Sequence, residues 1–125
     1  MSYEIMIAHA QGPDCEPDEL IDVSKVIEAV ESFPPFAARG VTWEDQNWEG
    51  MPEFAGLYML LNNHAPDETP GGEFDYRSGV AESCSMHLAA RGYDLGRCYE
   101  LAAHIARRTG ARAWDLQTEM EITYE

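Results

Sequence analysis

Apolar positions along the chain switch between a repeat of two and a repeat of three to four, and the switches mark out its elements. Tyr3, Ile5 and Ile7 stand two apart, with Met6 and Ala8 facing the other way, which predicts a strand over residues 3–9. Residues 11–16 read as a turn. Pro17 reads as a first helical residue, with Asp18 and Glu19 where the helix dipole favours acids. Leu20, Val23, Ile27 and Val30 then recur at helical spacing, widened by Val26 and Phe33. Pro34-Pro35 ends this helix, because proline removes a donor and restricts the residue before it.

The middle reads as a short strand over residues 41–43, a polar loop or hairpin over 44–50, and a buried strand over 54–62. In that strand Leu57, Met59 and Leu61 oppose Tyr58 and Leu60. Residues 63–74, with Pro66, Pro70, Gly71 and Gly72, are expected as a loop, long enough to be mobile or functional. Alternation returns over 80–88, where Cys84, Met86 and Leu88 face one way and Ser83, Ser85 and His87 the other, with Glu82 spoiling the apolar side. Arg91-Gly92 is a turn. Asp94 caps a helix reaching residue 108 or 109, with Leu95, Cys98, Leu101, Ala102 and Ile105 buried and Gly110 as a left-handed cap. Strands over 111–115 and 120–124 flank a turn. The order β-α-β-β-β-α-β-β predicts one α+β domain over residues 1–125. Its plan is a ferredoxin-like two-layer sandwich: a mostly antiparallel sheet, two helices on one face, the other face partly free.

Charge changes this picture from a scaffold to a scaffold with a direction. The chain carries 23 acidic and 8 basic residues, a net of −15. Residues 1–76 hold 16 of the acids and only Lys25 and Arg39 as bases, so nearly all the excess lies there. Such a surface repels phosphate, which argues against direct nucleic-acid or membrane contact and for a basic protein partner. The start has no basic or long apolar segment of a signal peptide, and the three cysteines form no CxxC pair. A cytoplasmic protein with reduced thiols is the expectation.

Candidate chemistry is sparse. His9, His64, His87 and His104 fall on four elements without the close ligand pairs of a zinc site, so no metal is expected. No nucleophile elbow or phosphate loop is present, and Glu73 beside Gly71-Gly72 would repel a phosphate. No cofactor is expected either. Ser83, Ser85 and His87 share a strand face about 7 Å apart, too far for a nucleophile and its base. Cys84 and Cys98 fall on core faces, and acidic pairs such as Asp18/Glu19 read as solvated. Arg91, Arg97, Arg107, Arg108 and Arg112 cluster around the second helix, where Arg107 and Arg108 complement its dipole. No catalytic residue is assigned. The aromatic residues are more telling: Trp43, Trp48, Phe54 and Tyr58 lie among Glu44, Asp45, Glu49 and Glu53. Trp43 and Phe54 are expected in the core and Trp48 at the surface. Trp48, Glu44, Asp45 and Glu49 then form a partner-binding patch, with Asp67, Glu68 and Glu73 as a second lobe.

Residues 101–118 run Leu-Ala-Ala-His-Ile-Ala-Arg-Arg-Thr-Gly-Ala-Arg-Ala-Trp-Asp-Leu-Gln-Thr. This stretch resembles the ends of small bacterial immunity proteins that neutralise secreted toxins, in which a helix closes on Gly and a short strand leads into an Asp-x-Gln-Thr-like turn. The resemblance implies a small acidic protein that blocks a toxin by binding it, not an enzyme. A phage-type inhibitor of a nucleic-acid-handling complex has the same profile. The alternatives are a small-molecule-binding or enzymatic domain using His87, Ser85 and Ser83 on the open sheet face, and a homodimer paired through a free face or edge.

Overall fold

The computed structural model describes residues 3–88 and 92–123. Among these the fold is α+β, with three α-helices and eight strands that pair antiparallel throughout. The strands are β1 (Tyr3–Ala8), β2 (Ile21–Asp22), β3 (Leu57–Asn62), β4 (Ala65–Glu68), β5 (Phe74–Ala81), β6 (Ser83–Leu88), β7 (Arg112–Asp115) and β8 (Met120–Ile122). The helices are α1 (Val23–Ser32), α2 (Pro34–Ala37) and α3 (Leu95–Thr109). One sheet has the order β3-β6-β1-β7-β8 and the other β2-β5-β4.

The larger sheet follows the period-two reading. Ile5 and Ile7 lie opposite Met86 and Cys84, which lie opposite Met59 and Leu61, and every one of these but Leu61 is buried. The stripes of α1 and α3 complete the same core, α1 through Val23, Val26, Ile27 and Val30 and α3 through Cys98, Leu101, Ala102 and Ile105. Asp94 caps α3 by accepting from the Arg97 N–H at 3.2 Å, and Gly110 closes it at φ 75°. The edge strand β3 is covered by the preceding loop. The Gln46 side chain bonds both the N–H and the C=O of Met59, and the Trp48 indole N–H donates to the Leu57 carbonyl. Two side chains thus occupy backbone groups that would otherwise invite another strand.

Several expectations need correction. The single sheet with two helices is two sheets with three helices among the described residues, and the strand expected from residue 54 begins at Leu57, because Pro52–Phe54 form a 3-10 turn. The first helix starts at Val23, not Pro17. Ile21 is buried by pairing with Ala81, Asp18 donates its N–H to the His9 carbonyl, and Asp22 caps the helix through Ser24. Leu20 is left in water. Residues 41–43 form no strand, because their donors go elsewhere: the Val41 N–H to Phe36 and the Trp43 N–H to the Glu31 carboxylate. The loop expected over residues 63–74 contains the strand β4 and the first residue of β5, separated by a tip over residues 69–73. The strand expected over residues 80–88 is divided at Glu82, where the apolar side was expected to break: β5 starts earlier, at Phe74, and ends at Ala81, and β6 begins at Ser83. The turn at Arg91 and the strand end at Tyr124 lie outside the described residues.

Asp115 anchors the C-terminal hairpin to the core. It is 1% exposed, on the same sheet side as Ile5. One carboxylate oxygen accepts from the N–H groups of Gln117 and Thr118 at 2.9 and 3.2 Å, and the other from the hydroxyls of Tyr3 and Tyr99. Burial opposes ionisation, but the two hydroxyls and the two N–H groups outweigh it and hold the carboxyl below its ordinary range. Burial, reinforced by the same carboxylate, raises both tyrosines, so they remain protonated donors. A carboxyl depressed by folding stabilises fully above the unfolded value of about 3.9 and loses that contribution as pH falls through its folded value. Asp115→Ala is therefore expected to cost about 3 kcal/mol in urea unfolding at pH 7, and the gap to the native chain is expected to narrow below about pH 4. An undiminished gap in acid would show that the carboxylate charge contributes nothing.

Gly79 sits at φ 88° beside the bulge between Ala65 and Asp67, and a Cβ there would overlap the Ala65 carbonyl and come within 2.8 Å of Pro66 Cα. Gly79→Ala should therefore release β4 from β5 while sparing the larger sheet. Amide exchange should quicken over residues 65–80 and stay slow over β1 and β6; unchanged exchange in β5 would contradict this.

Candidate interaction surface

The hairpin that joins the two sheets is longer than the core beneath it. Its inner half, β3 with β6, is packed, whereas its outer half, β4 with β5, projects as an arm. The tip is ordered: the Thr69 N–H donates to the Glu73 carbonyl at 2.6 Å, and the Glu73 N–H to the Thr69 hydroxyl at 3.2 Å. At the root, Glu82 N–H donates to the Asn62 carbonyl, and Asn63 takes a left-handed φ of 54° that turns the chain from β3 toward β4. Phe74 and Tyr76 share one side of the arm, ring centroids 6.3 Å apart, and stay 53% and 66% exposed. Asp67 lies directly opposite Asp75 on the other side. Two large rings in water and two facing carboxylates are both unfavourable in an isolated chain.

Arg77 fixes the arm to the body. Its guanidinium reaches Glu31 of α1 at 2.6 Å and Glu44 of the preceding loop at 2.5 Å. Those two carboxylates hold Arg77 above its ordinary pKa, and Arg77 in turn, with the Trp43 N–H, pulls Glu31 below its own against the effect of burial. Because Glu31 also accepts that Trp43 N–H at 3.0 Å, one carboxylate ties helix, loop and arm together. Between arm, loop and β3 lies a groove of about 410 Å³, lined by Trp43, Glu44, Leu60, Leu61, His64 and Tyr76. Exposed Tyr58 and Leu60 continue the apolar stripe along β3.

The residues expected at a partner surface are divided by the fold. Asp67 and Glu68 lie on β4, Glu73 ends the tip, and all three are exposed. Glu44 joins them through Arg77. Asp45 and Glu49 are exposed on the loop, and no interaction among the described residues links their side chains to the arm. Trp48 is not the exposed aromatic: it packs 4.7 Å from Phe36 and 6.2 Å from Phe54, within the cluster those rings form with Phe33. Phe54 is core, as expected, whereas Trp43 is half-buried at the groove.

No protein-family model and no curated protein matches the chain. The candidate surface therefore rests on geometry. Elsewhere the fold offers little reactive chemistry. On the sheet face expected to be open, Ser83 and Ser85 are instead buried and the Asn62 amide donates to both at 2.8 and 2.7 Å, while His87 stacks on Tyr58 at 4.8 Å, with Glu4 3.6 Å from its Nε2. Neither serine meets a base among the described residues. Burial pushes the Cys84 and Cys98 thiols up to about 12, well away from the reactive thiolate. No group of three or more His, Cys, Asp or Glu is placed for a metal among the described residues, and no helix there is long and apolar enough to cross a membrane. A cleft of about 570 Å³ between α3 and the β7–β8 hairpin has Asp115 in its lining, but that carboxylate already accepts from four donors.

Phe74 ends the expected loop, and Asp75, Tyr76 and Arg77 fall between that loop and the strand expected from residue 80. Their alternation of aromatic and charged residues is itself a strand signal, masked by the prolines and glycines just before it. Arg77→Met tests the tether. Its ion pairs are solvent-exposed, so global stability should fall by no more than about 1 kcal/mol. Arm amides should nonetheless exchange markedly faster, as they should in the native chain at high salt. An arm equally protected in the variant would show that β2 pairing alone holds it.

Proposed function

We propose that the chain is a non-enzymatic acidic protein that binds and inhibits a basic protein partner, in the manner of an immunity protein neutralising a bacterial toxin in the cytoplasm. The observation that carries this reading is the arm: an ordered projection bearing Asp67, Glu68, Glu73 and Asp75 with Phe74 and Tyr76 left in water. Acids bring a basic partner in quickly, and exposed aromatic anchors slow its departure. The serines bonded to Asn62, the His87 ring stacked on Tyr58 and the protonated buried thiols support a binding role over a catalytic one. We also read the scaffold as ferredoxin-like. Support comes from the order β3-β6-β1-β7 produced by a β-α-β-β-α-β path through β1, α1, β3, β6, α3 and β7, with β8 added at the edge.

The test is kinetic, against a basic protein encoded beside this one. Phe74→Ala and Tyr76→Ala should each raise the dissociation rate about tenfold or more with little change in association. Asp67→Asn with Glu68→Gln and Glu73→Gln should slow association and flatten its salt dependence. Trp48→Ala should act through stability instead, since its ring packs against the core phenylalanines Phe36 and Phe54. Salt-independent binding, or none to any co-encoded basic protein, would overturn the reading.

A further inference from the structure

We propose that the groove at the root of the arm receives an arginine side chain of the partner. This rests on the reading of the arm as a docking element and names what that element recognises. The groove combines three features seldom found together on a surface. Two large aromatic residues, Trp43 and Tyr76, line it and offer faces attractive to a cation. Leu60 and Leu61 give it apolar walls that cover the stem of a long side chain. Glu44 stands in its lining with one oxygen on Arg77, while among the described residues the other oxygen accepts nothing.

The surroundings select the sign of the occupant. Glu31, Glu44, Asp45, Glu68, Glu73 and Asp75 lie on the segments that border the groove, and Arg77, the cation beside them, is held by Glu31 and Glu44. An anion is repelled, and a purely apolar side chain would leave the free Glu44 oxygen without an ion. Between the two cations, the planar guanidinium stacks on aromatic faces and gives up its water more readily than an ammonium. Arg77 shows the same preference within the chain, since a guanidinium already lies between two of these carboxylates.

The experiment uses the whole chain and two blocked peptides of equal charge, tetra-arginine and tetra-lysine, followed by the Trp43 indole resonance. Tetra-arginine should bind at least about fivefold more tightly than tetra-lysine, with the shift centred on Trp43. Tyr76→Ser, at a position 66% exposed and so harmless to the fold, should remove that preference, and Glu44→Gln should weaken it. Equal binding of the two peptides, or a preference unchanged in Tyr76→Ser, would overturn the arginine assignment and leave a diffuse acidic surface, with the basic-partner reading intact. Absence of tetra-arginine binding overturns the assignment alone. If the co-encoded basic protein also fails to bind, the functional reading falls with it.

Discussion

A two-stranded ribbon with no core beneath it is marginal in water, and everything distinctive here depends on how this chain keeps one in place. The β3–β6 half of the long hairpin buries Leu57, Met59, Cys84 and Met86 and needs no further help. The β4–β5 half buries almost nothing. It is held at its root, where Ile21 pairs with Ala81 and Asp22 with Val80, and by Arg77 between Glu31 and Glu44. The short strand β2 thus has a purpose its two residues do not advertise. It gives β5 a second neighbour where the ribbon leaves the larger sheet, and it does so at the point where α1 begins.

That dependence explains why some elements were legible in the sequence and others were not. The strands and helices of the larger layer bury one face, so burial imprints a period on them. Tyr3 to Ala8, the stripe of α3 and the alternation over Ser83–Leu88 could be read directly. The arm has no buried face and carries no such period over β4, where Pro66 and the tip glycines imitate a loop. The start of α1 misled for a related reason. Leu20 fits the helical stripe, yet a β bridge at Ile21 and the Asp22 cap compete for the same backbone and win. Of the candidate surface, the acids could be placed by charge alone, whereas the aromatics could not. Trp48 closes the edge of β3, and Tyr76, in the unassigned stretch between the expected loop and the expected strand, is the exposed ring.

The excess negative charge takes on a different meaning once the fold is known. In the sequence it fills the N-terminal three-fifths. In the fold that portion includes α1, the loop over residues 42–50 and most of the arm, whereas the nearly neutral remainder supplies β6, α3 and the C-terminal hairpin. Arg77 is the exception, a base at the boundary turned inward upon two acids. Its pairing neutralises Glu31 and part of Glu44 while leaving Asp67, Glu68, Glu73 and Asp75 uncompensated. The arm therefore carries four uncompensated acids within nine residues, beside Asp45 and Glu49 on the neighbouring loop.

The facing pair Asp67 and Asp75 sharpens this point. Like charges directly across a ladder destabilise it, and Arg77, two residues along β5 from Asp75, is committed to Glu31 and Glu44. Among the described residues its only bond to Asp75 is through its backbone N–H, which donates to the carboxylate at 3.0 Å. Selection for stability alone would place an opposite charge at one of the two positions. On the proposed reading, a cation of the partner arriving between them would remove that repulsion and so favour association. The same holds for the wetted faces of Phe74 and Tyr76. An arm that is unfavourable in isolation, yet fixed in shape by Arg77 and an ordered tip, loses little conformational freedom on docking. It can therefore return most of those unfavourable terms as affinity.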